Sequence, residues 1–311
     1  MTTKSFFQTM SDGTEVCVNR WIPDDEAKAI IVISHGMAEH SLRYDGTASF
    51  FADAGFIVSA HDHRGHGKTA QKQIEKGQPG FGYLADKHGY EKVRDDLLEV
   101  IQQVKKDFPG KKVILLGHSF GSFITQSFIE NYSDQIDACI LCGSSGPIPP
   151  AGLGVFLSNI CYLFGQKKRK NNTLGRMAFA GYNNHIKNAK SDFEWLSRDE
   201  QNVQMYIADQ WCGFDMTTEF YHEMFRILTH IHKIKNIKKI SRDLPIYIMS
   251  GKEDPVSSYG KSLENLYNTY KSIGIKSVDM KLYPEDRHEI LNEVDKETVI
   301  SDTLAWINSH I

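Results

Sequence analysis

The sequence predicts an α/β protein: a mostly parallel sheet with helices on both faces, interrupted late in the chain by a helical insertion. Three observations predict it. Over the first 145 residues, short apolar runs alternate with segments of helical spacing, and such alternation implies βαβ crossovers. The apolar run 113–116 passes through Gly117-His118-Ser119-Phe120-Gly121 directly into the helix-like stretch 123–129. From Pro147 to about residue 232 no strand pattern occurs, and then the alternation resumes.

The elements follow in order. Residues 14–21 read as an early strand, hairpinned with 6–10 across the turn signal Ser11-Asp12-Gly13. Residues 29–33 form a short apolar strand. Residues 44–54 have helical spacing and stop at Gly55. Residues 56–60 are the next strand. Residues 91–108 form a long amphipathic helix, with Val93, Leu97, Leu98, Ile101 and Val104 on one face and Pro109-Gly110 as its stop. The run 113–116 and the helix after it come next, then strand 138–142. Pro147, Pro149 and Pro150 break regular structure and open the insertion, residues 147–230. Beyond it, 244–249 is a strand, 262–270 a helix, 278–283 a strand and 293–307 a final helix. Residues 1–146 and 231–311 thus make one core around the insertion.

Composition narrows the function. The chain has 311 residues, 41% hydrophobic and 24% charged, which suits an ordinary globular protein. A net charge of -3 gives no general attraction to nucleic acid. The first residues are too polar for a signal peptide, and no run of 18 apolar residues exists, so a cytoplasmic protein without a membrane span is expected. Five cysteines, an odd number, suggest free thiols. Cys139 and Cys142 are spaced C-x-x-C, but within a strand that spacing puts them on opposite faces, so they read as buried thiols.

Strand, G-x-S-x-G, helix is the context of a nucleophile elbow. The tight turn strains Ser119, and the flanking glycines keep side chains out of the crowding. A serine hydroxyl needs a base and an orienting carboxylate, which on this topology follow as acid and then histidine, at the carboxyl ends of strands. Strand 244–249 ends in Ser250-Gly251-Lys252-Glu253-Asp254-Pro255, and strand 278–283 in Pro284-Glu285-Asp286-Arg287-His288. Asp254 and His288 are therefore the candidate acid and base. The oxyanion hole would combine the Phe120 N–H with one from the loop Ser34-His35-Gly36-Met37-Ala38-Glu39-His40, where Met37 is the preferred donor. These are main-chain roles.

His35-Gly36-Met37-Ala38-Glu39-His40-Ser41-Leu42-Arg43-Tyr44 resembles the H-G-x-x-E-H-x-x-R-Y signature of the monoacylglycerol lipase and lysophospholipase group of α/β-hydrolases. Asp62-His63-Arg64-Gly65-His66-Gly67-Lys68-Thr69 is similar to that group's D-x-R-G-x-G-x-S/T loop. The elbow is similar to G-H-S-M-G, with Phe120 for methionine. Gly251 to Val256 resembles the acid turn G-x-x-D-x-V, and Arg287-His288-Glu289 the base loop. The resemblance implies the α/β-hydrolase fold with an eight-stranded sheet and a helical cap. It also implies a serine esterase that acts without cofactor on monoacylglycerols, lysophospholipids or related acyl esters. Among these motifs Asp254 rather than Glu253 is the matched acid. In the insertion, Asp209-Gln210-Trp211-Cys212-Gly213-Phe214 matches bacterial lysophospholipase-like caps only loosely, which leaves acyl chain and head group open.

His61, His63 and His66 have the look of a metal cluster, but the resemblance favours a structured loop held by Asp62 and Arg64. Residues 155–164 are apolar and too short to span a bilayer, and Lys167-Lys168-Arg169-Lys170 follows. A cap helix over the site followed by a solvated loop is the favoured reading, with any membrane contact transient. The same triad would also serve amide, peptide or thioester cleavage, or acyl transfer, and a hydrolase-like binding module would be expected to lack a triad member. Oligomeric state is not legible.

Overall fold

The computed structural model describes residues 1–147 and 151–311; Pro149 and Pro150 lie outside the described residues. Eight strands form one sheet: β1 (Thr2–Thr9), β2 (Glu15–Ile22), β3 (Ala29–Ser34), β4 (Phe56–His61), β5 (Val113–His118), β6 (Ala138–Cys142), β7 (Ile246–Gly251) and β8 (Val278–Tyr283). Their order is β1-β2-β4-β3-β5-β6-β7-β8. β1–β2 and β2–β4 pair antiparallel, and every other neighbour pair is parallel.

Strands β3 to β7 are buried along their whole length, as a parallel sheet covered on both faces requires. Helices α1 (Asp45–Asp53) and α11 (Lys296–His310) cover one face with Phe51, Ala52, Val299 and Ile307. The other face lies under α3 (Gly89–Asp107), α4 (Phe120–Tyr132) and α10 (Lys261–Ser272), through residues such as Leu97, Ile124 and Leu263. Cys139 belongs to the second core and Cys142 to the first, so the C-x-x-C pair does point to opposite faces of β6.

One helix unread in the sequence and one helix start read too early each have a physical reason. Helix α2 (Gly67–Glu75) escapes the periodicity test because Thr69 and Gln73, polar residues, fill much of its buried side. The last helix begins at Lys296 rather than residue 293, because the buried Glu293 turns inward to accept the Arg198 and Arg287 N–H groups at 2.9 and 3.0 Å.

Between β6 and β7 the described residues form α5 (Ala151–Leu163), α6 (Asn172–Ala178), α7 (Glu200–Ala208), α8 (Thr218–His230) and the short α9 (Ile234–Ile237). The one β-type contact there is an isolated bridge between Lys170 and Thr217. Helix α5 lies so close on α8 that a Cβ on Gly154 would sit 2.5 Å from the Phe225 ring.

Candidate active site

The parallel strands deliver the predicted residues to one end of the sheet. Met37 follows β3, Ser119 follows β5, Asp254 follows β7 and His288 follows β8, all at carboxyl ends. Ser119 sits at φ 52°, ψ -121°, a region a non-glycine residue occupies only when its surroundings hold it there. Its N–H donates to Cys142 O at 3.0 Å, and its carbonyl accepts from Ser122 N at 2.8 Å and Ser122 Oγ at 2.5 Å. The glycines do what the turn demands. A Cβ on Gly121 would lie 2.0 Å from Ser34 O, and one on Gly117 2.3 Å from Thr125 Oγ1.

Asp254 is fully buried and held from three sides. Ser250 Oγ donates to its Oδ2 at 2.8 Å, Val256 N to its Oδ1 at 2.8 Å, and Oδ2 lies 3.0 Å from His288 Nδ1. That bond fixes the imidazole with its Nδ1 edge on the acid. The His288 ring also packs against His118 and Trp195, with centroids 4.9 and 5.0 Å away. Ser119, His288, Met37 and Phe120 all line one cavity of about 860 Å³. Among the described residues the Met37 and Phe120 N–H groups have no hydrogen-bond acceptor.

A buried ionic network under the cavity was not read from the sequence. Arg43 reaches Glu39 Oε2 at 2.8 Å and Glu289 at 2.6 and 2.8 Å, and it touches Asn202 Oδ1 on α7 at 3.2 Å. Glu39 Oε1 in turn accepts from Gly36 N at 2.5 Å and Tyr44 Oη at 2.9 Å, and meets His118 Nδ1 at 3.4 Å. Burial alone would raise the Glu39 carboxyl, but the His118 hydrogen bond and the Arg43 charge hold it well below the carboxylate range. Burial would likewise lower His118, and the Glu39 bond and charge raise it instead. The network ties the loop after β3 (Gly36) to the loop after β8 (Glu289, next to His288). Its signal in the sequence was the charged positions Glu39, Arg43 and Glu289, which entered only as motif matches.

The segment between β6 and β7 roofs the cavity. Leu153 and Leu157 of α5, with Met224, Leu228 and Val256, give part of the lining an aliphatic character, and Phe179, Tyr182, Trp195 and Phe225 give it an aromatic one. The second half of the segment is bonded to the loops after β3 and β8. Tyr206 Oη and Gly213 N donate to Ala38 O at 3.0 and 2.9 Å, and Glu289 N donates to Leu196 O at 2.7 Å. Arg198 joins Asp286 and Asp295 at 2.5 and 3.0 Å.

Two other sequence features find their place. His61, His63 and His66 are buried in a loop core, where His63 shares hydrogen bonds with His61 at 3.1 Å and Ser34 at 3.2 Å. Burial pushes His61 and His66 down to about 4. The basic run is exposed at Lys168, Arg169 and Lys170, as a solvated loop would be, and it also makes contacts to the core. Lys167 Nζ donates to Asp86 O, Lys168 pairs with Asp86 at 2.7 Å, and Lys170 Nζ donates to Phe81 O at 2.5 Å. These lysines pin the segment to the core. No helix of the described residues is long and apolar enough to cross a membrane.

Comparison with known proteins agrees with this architecture. The profile of a family described as "Serine aminopeptidase, S33" matches residues 25–295. The chain is 26% identical to a monoacylglycerol lipase of Mycolicibacterium smegmatis, over 96% of this chain and 95% of that one. It is 23% identical to the monoglyceride lipase of Rattus norvegicus, over 97% and 89% of the two chains. Among solved structures, a thermostable carboxyl esterase from Bacillus coagulans in complex with glycerol superposes with a TM-score of 0.92 at 26% identity, covering 100% of this chain and 99% of that one.

Proposed function

The chain belongs to the serine aminopeptidase, S33 family as an α/β-hydrolase of the monoacylglycerol lipase-like group, and on that premise we propose that it hydrolyses single-chain acyl esters, monoacylglycerols or lysophospholipids, through an acyl-enzyme. The observation that carries the reading is the strained Ser119 on the wall of a largely apolar cavity that also holds the Asp254-bound His288. Ser119 Oγ attacks the ester carbonyl as His288 Nε2 takes its proton, and Asp254 stabilises the imidazolium. The N–H groups of Met37 and Phe120 stabilise the oxyanion. The alcohol departs with the proton from His288. Water then gives its proton to His288, attacks the acyl carbon, and releases the acid and Ser119. No cofactor enters these steps.

Residues 147–230 act as the cap, and their aliphatic lining takes the acyl chain. The outer face of α5 leaves Phe156 at 61% exposure and Leu163 at 84%, which suits transient contact with a lipid surface. Binding to anionic vesicles at low salt tests that part alone.

A second reading, peptide or amide cleavage, has the family's description in its favour. A substrate ammonium would need a free carboxylate beside Ser119. Glu39 and Glu289, the carboxylates built into the loops beside Ser119, are already paired with Arg43 and His118, which leaves Asp192 and Asp215 in the cavity lining as the carboxylates an ammonium could meet. Hydrolysis of p-nitrophenyl esters from acetate to palmitate, of monoacylglycerols and lysophospholipids, and of aminoacyl anilides decides the matter. Ester turnover with a medium or long optimum, lost in Ser119→Ala, is expected. Preference for the anilides, or no turnover of any ester, would overturn the proposal.

A further inference from the structure

Just outside the cavity, where the oxyanion loop meets the cap, three side chains of different chemistry converge. His40 comes from the loop after β3, and Asp209 and Cys212 from the turn after α7. One ligand atom of each, an imidazole nitrogen, a carboxylate oxygen and Sγ, lies within 4.8 Å of the others. We propose that His40, Asp209 and Cys212 form a binding site for a divalent thiophilic cation of the zinc type, bridging the oxyanion loop and the cap.

The donor set suits that ion. Zinc takes imidazole nitrogen, thiolate sulfur and carboxylate oxygen in a tetrahedron, and three protein ligands with a water make a common open site. Asp209 and a Cys212 thiolate supply two negative charges against the ion's two positive ones, and His40 binds as neutral imidazole. Calcium or magnesium would demand oxygen ligands in place of sulfur and nitrogen.

The frame is already assembled. Gly213 N and Tyr206 Oη hold Ala38 O at 2.9 and 3.0 Å, which fixes the two backbones beside each other. Asp209 Oδ1 accepts Trp211 N at 2.8 Å, and the Trp211 ring stands edge-on to His40 at 5.4 Å. Those contacts orient two of the ligands, as outer-shell partners do in metal sites. Asp209, with 32% of its side chain exposed, offers the ion a path from solvent, while His40 and Cys212 are buried.

In the structure His40 Nε2 and Asp209 Oδ2 share a hydrogen bond of 2.8 Å. Metal bonds of about 2.0–2.2 Å at a tetrahedral angle need roughly 3.4 Å between these atoms. The partly exposed Asp209 therefore draws back by about half an ångström. A cysteine binds the ion as thiolate, so the ion must displace the Cys212 proton. Binding releases that one proton to solvent, and the imidazole presents the Nε2 lone pair with its proton on Nδ1.

The test is titration of the metal-free protein with Co²⁺, then displacement by Zn²⁺, in the wild type and in Cys212→Ser, Asp209→Asn and Cys161→Ser. Cys161 is the one cysteine that is not buried. The expected result is one equivalent of Co²⁺ with a thiolate-to-metal charge-transfer band, and a Zn²⁺-dependent rise in Tm. Cys212→Ser abolishes the band and weakens Zn²⁺ more than about 100-fold, beyond the loss of an outer-shell partner. Asp209→Asn keeps the band and weakens the affinity, and serves if the cysteine variant folds poorly. Cys161→Ser changes neither. No thiolate band in the wild type, loss of the band in Cys161→Ser, or equal Zn²⁺ affinity in Cys212→Ser and Asp209→Asn, as His288 acting as the ligand would give, overturns the proposal.

Discussion

Replacing Arg43 by methionine removes the one guanidinium shared by two buried carboxylates, Glu39 and Glu289. Each pair is close, 2.8 and 2.6 Å between nitrogen and oxygen. With charge centres about 4 Å apart and an effective dielectric constant near 20, each attraction is about 4 kcal/mol. Desolvation offsets much of that in the intact network, but a buried carboxylate left without its partner does not recover it. The expected loss is about 3–5 kcal/mol, or roughly 5–8 °C in Tm for a chain of this size. Glu289, left without its partner, then has a folded pKa above its unfolded one, while Glu39 keeps His118. The Glu289 penalty is absent below the ordinary carboxyl range and grows as pH rises through it, so Arg43→Met is closest to the wild type in acid. Urea unfolding at pH 5 and pH 8 measures this. Adding Glu289→Gln removes the orphan and recovers a good part of the loss. A cost under about 1 kcal/mol, no pH dependence, or strict additivity in the double variant would refute the account.

Other expectations concern single residues. Asp254→Asn keeps the shape of the site but removes the charge opposite His288 Nδ1, so kcat for a p-nitrophenyl ester falls by about 10⁴ with the fold intact by circular dichroism. Gly121→Ala drives a Cβ to 2.0 Å from Ser34 O, so it costs about 3 kcal/mol or more in urea unfolding. Glu130, buried on α4 with both carboxylate oxygens unpartnered, has its pKa pushed up by burial to about 9 from 4.5. At pH 7 its folded form keeps a proton that the unfolded chain releases, at a cost of about 3 kcal/mol. Glu130→Gln therefore stabilises at pH 7 by up to that amount, and the gain disappears as pH falls below 4.5 in a Tm series.

Much of this architecture is legible in the sequence because local signals and burial agree. The strands β3 to β7 are short, apolar and bounded by turns. The elbow announces itself because only glycine fits at residues 117 and 121. Asp254 and His288 stand out because the strand ends admit few other candidates. Helix α2 hid behind its polar inner face, since periodicity counts apolar residues and Thr69 and Gln73 are held by hydrogen bonds instead. The Glu39–Arg43–Glu289 network hid for a related reason. Charged residues read as surface until their partners, 246 positions apart in the case of Arg43 and Glu289, are brought together by the fold. The contacts of the exposed lysine run to Phe81 and Asp86 escaped notice as well, because they are set by tertiary structure alone.

The bonds from Leu196, Arg198, Tyr206 and Gly213 to the loops after β3 and β8 divide the roof of the cavity into two kinds of material. A graft that exchanged the whole insertion with that of a relative would also remove the props beneath Ala38 and Glu289. Redesign of chain-length preference is better confined to α5 and α6, whose buried residues pack on α8 rather than bond to the loops after β3 and β8. Natural variation that retunes what this scaffold accepts should concentrate in the same half, leaving residues 194–213 under the constraint that governs the nucleophile itself.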